Sequence, residues 1–225
     1  MDIGGLQKLS LIDYPDKLSA VIWTVGCNLK CPYCYNPGLI TSSDKLPEEQ
    51  VLAVLEDRKD ILEGVVVTGG EPSLQKDLVD FLYGVKQMGY LVKLDTNGTR
   101  PKVVSKLLKK ELVDYIAMDI KASKEKYSEL TRTDIDVSKI NESIEIIKDS
   151  TVSNEFRTTV VPGFLEEKDI KEISKWVGNE SRYFLQQFEY KGEILAPDKI
   201  YEKAYSEDIL EVWCKKYFEN CKVRT

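Results

Sequence analysis

Residues 18–36 read LSAVIWTVGCNLKCPYCYN, an apolar run that passes directly into a loop with three cysteines. Residues 18–25 are rich in branched and aromatic side chains and stop at a glycine, which is typical of a buried β-strand. Cys27, Cys31 and Cys34 follow, with three and then two residues between successive cysteines. This spacing allows one short loop to fold three thiolates around a single metal centre.

The composition is that of a globular protein. The chain has 225 residues, 42% hydrophobic and 31% charged, with a net charge of -6. This length suits one domain, residues 1–225. We expect an N-terminal segment 1–17, a core 18–190 and a C-terminal helix in 191–225. The basic residues are scattered among acidic ones, which argues against nucleic acid or a membrane as partner. Without a signal-peptide pattern or a long apolar run, we expect a cytoplasmic protein.

The five cysteines and the absence of histidine limit which metal sites and catalytic mechanisms are possible. An odd cysteine count does not suit a disulfide framework, so the clustered triplet favours metal binding or redox chemistry in a reducing compartment. The lack of histidine excludes His-dependent mechanisms and most zinc sites with nitrogen ligands. Cys214 and Cys221 are seven residues apart, and we expect both to pack in the core as small apolar residues.

Strand-like and helix-like segments alternate along the chain. Strands are predicted at 18–25, 64–68, 90–95, 115–120, 155–161 and 182–188. Helices are predicted at 47–61, 77–88, 101–110, 135–148, 168–177 and 201–217. Six β-α units predict an α/β fold: a partial (βα)6 barrel, an incomplete TIM-type barrel with a parallel, curved, six-stranded sheet and outer helices.

The unusual residues follow the predicted strands, where parallel α/β folds place their ligands. In strand order they are Cys27, then Gly69, Gly70 and Glu71, then Asp95, Thr96, Asn97 and Gly98, then Asp119 and Lys121, then Pro162 and Gly163, and finally Gln186 and Gln187. One edge of one sheet therefore carries the candidate chemistry.

Two local patterns suggest bound groups. Three thiolates without a close fourth ligand predict a four-iron, four-sulfur cluster with one open iron, because an open position marks a catalytic metal. A zinc knuckle, or a closed cluster completed by Cys214 or Cys221, is the alternative. The stretch Thr68 to Pro72 is by itself a tight turn. Its functional interpretation is that bare backbone approaches a ligand while Glu71 holds a cation such as an amino group.

At these motifs the sequence resembles the radical S-adenosylmethionine enzymes. Cys27, Cys31 and Cys34 match that superfamily's cysteine motif, and Gly69, Gly70 and Glu71 match its glycine-glycine-glutamate motif, within a resemblance over about residues 6–188. The resemblance implies that the open iron binds the amino and carboxylate groups of S-adenosylmethionine. One electron then splits the sulfonium, and the 5'-deoxyadenosyl radical formed abstracts hydrogen.

Within that superfamily the chain is most similar to the small activating enzymes of glycyl radical enzymes, in particular those of anaerobic ribonucleotide reductase. The similar stretches are 5–8, 11–15, 31–37, 95–98, 118–121 and 162–163. The resemblance implies a glycyl radical enzyme as partner and a flavodoxin or ferredoxin-type electron donor. It departs at Tyr35, where the family usually has histidine.

The resemblance also implies roles for single residues. Tyr33 and Val160 are expected beside the adenine, Glu71 at the methionyl ammonium, with Gly69 and Gly70 in close approach, and Arg157 at the carboxylate. Asp95, Thr96, Asp119 and Lys121 are expected around the ribose and carboxylate, and the two aspartates at a monovalent cation. Ordinary helix caps and surface charge are the alternative for Asp95, Asp119 and Lys121, and strand packing is the alternative for Val160.

Two other functions stay open on the sequence. One is a radical enzyme acting on a small molecule, such as 7-carboxy-7-deazaguanine synthase, which usually places Asp-Thr after the third cysteine instead of the Tyr35-Asn36 seen here. The other is a non-catalytic electron carrier, which gives no reason for Glu71 or Lys121.

Overall fold

The computed structural model describes residues 1–190, 193–200 and 203–225, and one mixed sheet organises them. Its eight strands lie side by side in chain order. They are β1 (Ile3–Ser10), β2 (Ser19–Thr24), β3 (Gly64–Gly69), β4 (Leu91–Thr96), β5 (Tyr115–Asp119), β6 (Ser153–Val160), β7 (Tyr183–Gln187) and β8 (Cys221–Arg224).

Among the strands of the described chain, the first pair alone is antiparallel. Leu6 of β1 lies opposite Ile22 of β2, whereas every later neighbour pair, from β2 with β3 to β7 with β8, is parallel. β1 and β8 stay at opposite edges, so the sheet is curved but open. The carboxyl ends of β2 to β8 therefore meet at one rim.

Helices connect the parallel strands, as βαβ geometry requires. They are α1 (Gly38–Thr41), α2 (Glu48–Asp57), α3 (Leu78–Gln87), α4 (Pro101–Lys109), α5 (Tyr127–Thr131), α6 (Val137–Lys148), α7 (Glu167–Val177) and α8 (Glu207–Tyr217), with 3₁₀ turns at Pro72–Leu74, Lys124–Lys126 and Pro197–Lys199. Proline starts α4 at its first helical position, and α7 begins with a capping box between Glu166 and Asp169.

The core has two parts. The larger lies between the sheet and the helices, and includes Phe156, Leu82 and Ile144. The smaller lies inside the curve of the sheet, where Tyr14 packs against Tyr115 with ring centroids 6.0 Å apart. Side chains alternate between these two parts along each strand, so every second residue of a strand points to the inside of the barrel.

The predicted α/β partial barrel is confirmed, and the six predicted strands are β2 to β7. The strand count was wrong, because the sheet has eight strands. β1 (IGGLQKLS) lies in the predicted N-terminal segment. It was missed because its two glycines and its exposed polar residues are unfavourable in strands and weaken the apolar pattern. β8 has only four residues and directly follows a helix.

The C-terminal predictions need two corrections. The last helix begins at Glu207 with Ser206 as N-cap, not at residue 201; Tyr201 and Glu202 lie outside the described residues. Cys214 is buried in the core and Cys221 packs against it, as expected, but neither is a free thiol, because the two form a disulfide between α8 and β8. The chain reverses between these two elements and brings the two Cα atoms to 5.2 Å. Neither thiol is then free to complete a cluster.

In the described part of the chain, no helix is both long and apolar enough to cross a membrane.

Candidate functional site

A cavity of about 240 Å³ opens at the rim formed by the strand ends. Nearly all of the side chains expected from the sequence line it. The lining residues are Cys27, Leu29, Cys31, Tyr33, Cys34, Tyr35, Asn36, Ile40, Thr68, Gly69, Gly70, Glu71, Asp95, Thr96, Asn97, Asp119, Lys121, Arg157, Thr159 and Gln186. The parallel strands bring together residues that are far apart in sequence.

The three loop cysteines are free thiols on this cavity. The Leu29 N–H donates to Cys27 Sγ at 3.4 Å, and the Cys34 N–H closes a turn on the Cys31 carbonyl at 3.0 Å. Burial raises the pKa of Cys31 to about 11 and also raises the pKa of Cys27. Thiolates here therefore need a bound positive centre, and a metal deprotonates coordinating thiols.

The donor set suits an iron–sulfur cluster. Across residues 1–190, 193–200 and 203–225, no three His, Cys, Asp or Glu side chains come close enough together to hold a single metal ion. In a four-iron cluster each thiolate binds a separate iron, so three free thiols on one loop suit it. Tyr33 adds a second sign of a bound group: it lines the cavity, yet its buried hydroxyl has no hydrogen-bond partner among the described residues.

The cysteine loop and the glycine pair are in direct backbone contact. The Glu71 N–H donates to the Gly26 carbonyl oxygen at 2.7 Å. A Cβ atom at position 70 would lie 2.1 Å from the Gly26 oxygen, and one at position 69 would lie 2.3 Å from the Thr24 nitrogen. Gly69 also has φ of +113°, a conformation that favours glycine. Both positions therefore require glycine, because the backbone at Thr24 and Gly26 lies too close to leave room for a Cβ atom.

Glu71 is 1% exposed and receives four hydrogen bonds. Its Oε1 accepts from the Ser73 N–H at 3.0 Å, the Ser73 hydroxyl and the Thr96 hydroxyl at 2.7 Å, and its Oε2 accepts from the Asn97 N–H at 2.6 Å. A carboxylate offers about four lone-pair sites, so the chain's own donors match that capacity. Glu71 thereby joins the end of β3 to the end of β4.

No cation contacts Glu71 within the described residues. Burial raises its pKa, an effect that the hydrogen bonds from Ser73, Asn97 and Thr96 oppose. A buried carboxylate without a counter-charge attracts a positive group through space even when its lone pairs are engaged. The expectation that Glu71 faces an ammonium stays a prediction.

A row of alternating charges crosses the floor of the cavity. Arg157 on β6 donates from Nε to Asp119 at 2.8 Å and from Nη1 to Asp95 at 3.2 Å. Lys121 donates to the other oxygen of Asp119 at 3.0 Å, and Lys93 pairs with Asp95. Burial alone would raise the pKa of both aspartates, but Arg157 with these lysines outweighs it and holds both values below their usual range.

One predicted site residue lies elsewhere. Val160 is fully buried in the core between the sheet and the helices and does not line the cavity. Side-chain alternation explains this, because Arg157 and Thr159 face the inside of the barrel and Val160 faces the helices. The same alternation in the sequence could have found Thr159, which was missed and lines the cavity.

Tyr35, the departure from the family pattern, links two distant segments. Its ring stacks on Phe188 with centroids 5.9 Å apart, and its hydroxyl accepts a hydrogen bond from the Glu189 N–H at 3.0 Å. The Ala196 N–H donates to the Pro32 carbonyl at 2.9 Å. The cysteine loop is thus held from the far side of the rim by the segment that follows β7.

An open α/β barrel with a three-cysteine loop at its carboxyl rim is the architecture of one enzyme class. Residues 21–177 match the Radical SAM superfamily. The chain belongs to that superfamily and is a radical SAM enzyme, and the family implies an iron–sulfur cluster and S-adenosylmethionine.

Two relatives from Methanocaldococcus jannaschii are provisionally named glycyl-radical enzyme activating enzymes. One is 38% identical over 99% of this chain and 95% of its own length. The other is 31% identical over 78% of this chain and 68% of its own length.

Solved structures share the fold. SuiB of Streptococcus suis, solved with its precursor peptide SuiA, superposes with a TM-score of 0.68 at 16% identity over 91% of this chain. The chain spans only 48% of SuiB. The protein anSMEcpe with bound AdoMet gives a TM-score of 0.62 at 17% identity, covering 89% of this chain and 61% of that one.

Proposed function

We propose that this enzyme generates a glycyl radical on a partner enzyme, and that this partner is an anaerobic ribonucleotide reductase. The observation that carries the proposal is that three free thiols and the charged ends of β4, β5 and β6 line the same cavity. The near full-length similarity to one protein named as a glycyl-radical enzyme activating enzyme supports it. The bound groups would supply reductive cleavage of S-adenosylmethionine at a [4Fe–4S] cluster, and with it the hydrogen-abstracting radical.

The chain's own residues would bind and orient these groups. Cys27, Cys31 and Cys34 would ligate the cluster. Lys121 uses one of its three N–H groups on Asp119, which leaves donors for the cofactor carboxylate. Arg157 fixes both aspartates and so sets the position of their oxygens for the ribose. Tyr33 would cover the adenine.

A monovalent cation at the aspartates receives no support from the arrangement. Three cations, Lys93, Arg157 and Lys121, already outnumber the two carboxylates that they pair with. We therefore do not include the cation in the site. The single-domain organisation and the cytoplasmic location stay predictions.

The test uses the anaerobically reconstituted protein with S-adenosylmethionine, a reductant and a candidate reductase. We expect 5'-deoxyadenosine together with a glycyl doublet in electron paramagnetic resonance. 5'-Deoxyadenosine without a glycyl signal, across candidate glycyl radical enzymes, would favour a radical enzyme acting on a small molecule. An intact cluster with no 5'-deoxyadenosine would favour an electron carrier.

A further inference from the structure

The outer side of α4 carries a concentration of positive charge. Arg100, Lys102, Lys106, Lys109 and Lys110 are all exposed, and none forms an ion pair with a described residue. We call these five residues the α4 basic face. Three of them are four and three positions apart along the helix and so lie on one side. The prediction that basic residues are scattered among acidic ones is wrong here.

This arrangement works against the helix that carries it. Arg100 at the N-cap and Lys102 in the first turn stand at the positive end of the helix dipole, and that turn holds no acidic residue. Lys102 and Lys106 form a like-charged i,i+4 pair, which destabilises a helix. Lys106 and Lys109 in the last turn and Lys110 at the C-cap lie at the opposite end, where the dipole favours positive charge. A face with these costs and no partner within the described chain points to an anionic partner outside it.

The basic face borders two neighbouring grooves, of about 460 and 620 Å³, whose other wall is α6. Three carboxylates line them: Asp134, Asp136 and Glu142. The same grooves hold six cations, the five of the basic face and Lys139, which pairs with Asp136 at 3.9 Å. Six cations against three carboxylates leave an excess of three positive charges on a chain whose net charge is -6.

The larger groove reaches the cysteine loop. Asn28, which directly follows Cys27, lines the groove together with Thr99. Asn28 Nδ2 donates to the Thr99 hydroxyl at 2.9 Å, and Asn97 Nδ2 donates to Asn28 Oδ1 at 3.0 Å. Asn97 lines the candidate cavity on the other side. This polar set separates groove from cavity, one residue away from a proposed cluster ligand.

We propose that the α4 basic face is the docking surface for a small acidic one-electron carrier protein, which reduces the cluster from the Asn28 side of the loop. The carrier loses one electron and the cluster gains it, with no other bond made or broken. The proposal rests on the proposed function, because it places a cluster on the three cysteines. Since groove and cavity are separate, the carrier can bind while the cavity receives the partner's glycine.

The test compares two double charge reversals in the reconstituted full-length protein. K102E/K106E changes the basic face. K8E/K171E makes the same change in charge on other parts of the surface, at exposed lysines that pair with no described carboxylate. The probe is an acidic ferredoxin with two [4Fe–4S] clusters, whose Kd is measured at about 50 mM and about 300 mM KCl. We expect K102E/K106E to bind about tenfold to a hundredfold more weakly at low salt, with the difference shrinking at high salt. K8E/K171E should bind like the wild type.

A second readout separates this proposal from the proposed function. Dithionite needs no docking surface, so K102E/K106E should form 5'-deoxyadenosine at the wild-type rate with dithionite and at least about tenfold more slowly with limiting ferredoxin. If the wild type made no 5'-deoxyadenosine with dithionite, the proposed function would be refuted. The ferredoxin affinities would still test whether the α4 basic face is a docking surface. Equal ferredoxin affinity of the wild type and K102E/K106E would overturn the proposal. The proposal would also be overturned if the wild type bound a single-stranded RNA 20-mer but no ferredoxin, and K102E/K106E lost the RNA binding.

Discussion

Arg157 lies between Asp95 and Asp119, donating from Nη1 to the first at 3.2 Å and from Nε to the second at 2.8 Å. The three residues belong to β4, β5 and β6, so one guanidinium ties three strand ends together. The planar fork of arginine can reach two carboxylates at once. The geometry of the cavity floor therefore depends on this side chain.

Replacing Arg157 should destabilise the fold. Arg157→Met leaves two half-buried carboxylates with weaker compensation, which should cost about 3 kcal/mol, the lower end of the range for breaking a buried charge pair. The free energy of unfolding, measured by urea titration of the apo protein, should fall by that order. Arg100→Met, at an exposed arginine, should change it by less than about 0.5 kcal/mol. Equal stability of the two variants would contradict a structural role for the charged row.

The charged row should also shape the acid limb of the stability curve. The pKa values of Asp95 and Asp119 lie below their usual value of 3.8 in the folded protein. The unfolded chain therefore binds protons first, and stability is lost as pH falls below that value. In Asp119→Asn this loss should be smaller between about pH 4 and pH 2.5, when urea midpoints of the apo proteins are compared. A parallel acid limb in the variant would show that Asp119 titrates normally.

Glu71→Gln should weaken the junction between β3 and β4. The amide offers one oxygen where the carboxylate offered two, so a donor near Oε1 or Oε2 is left unsatisfied at a cost of about 1 to 3 kcal/mol. Thermal unfolding of the apo protein should show the loss, with exposed Glu49→Gln as control. If stability were unchanged while S-adenosylmethionine binding fell by calorimetry, Glu71 would serve the cofactor and not the fold.

Removing the disulfide should loosen the C-terminal strand but spare the cysteine loop. A closed loop of this length stabilises by about 2 to 3 kcal/mol in the chain-entropy account. Cys221→Ala should lose that amount in urea titration, and reducing agent should then lower the stability of the wild type only. Iron and sulfide content after reconstitution should match the wild type. Loss of iron in Cys221→Ala would instead support a closed cluster to which Cys214 or Cys221 contributes a ligand.

Cys34→Ala should abolish cluster assembly. Two remaining thiolates cannot hold the three-ligand arrangement, so the iron–sulfur absorbance and acid-labile sulfide should disappear after reconstitution. Cys214→Ala is the matched control because it also removes one cysteine. A normal cluster in Cys34→Ala would contradict the assignment of the loop as the ligand set.

The sequence predicted the parts of the molecule that depend on local pattern. Apolar periodicity located β2 to β7, and turn residues after them located the rim. What it missed depends on tertiary contact. β8 is too short to show a recognisable strand pattern in the sequence. The Cys214–Cys221 disulfide forms because the chain turns back after α8. The expectation that Val160 lies at the adenine was wrong, because side chains alternate along β6 and Thr159 takes the inward position. The contacts of Tyr35 with Phe188 and Glu189 join residues about 150 positions apart, and no local pattern predicts them.

The close approach of Thr24 to Gly69 and of Gly26 to Gly70 sets a rule for protein engineering. The glycine pair makes room for the backbone that carries the cysteines, whatever it also contributes to a ligand. A designer who grafts the cysteine loop onto another α/β barrel has to graft the neighbouring strand end with it. The transferable unit is the pair of strand ends, not the loop.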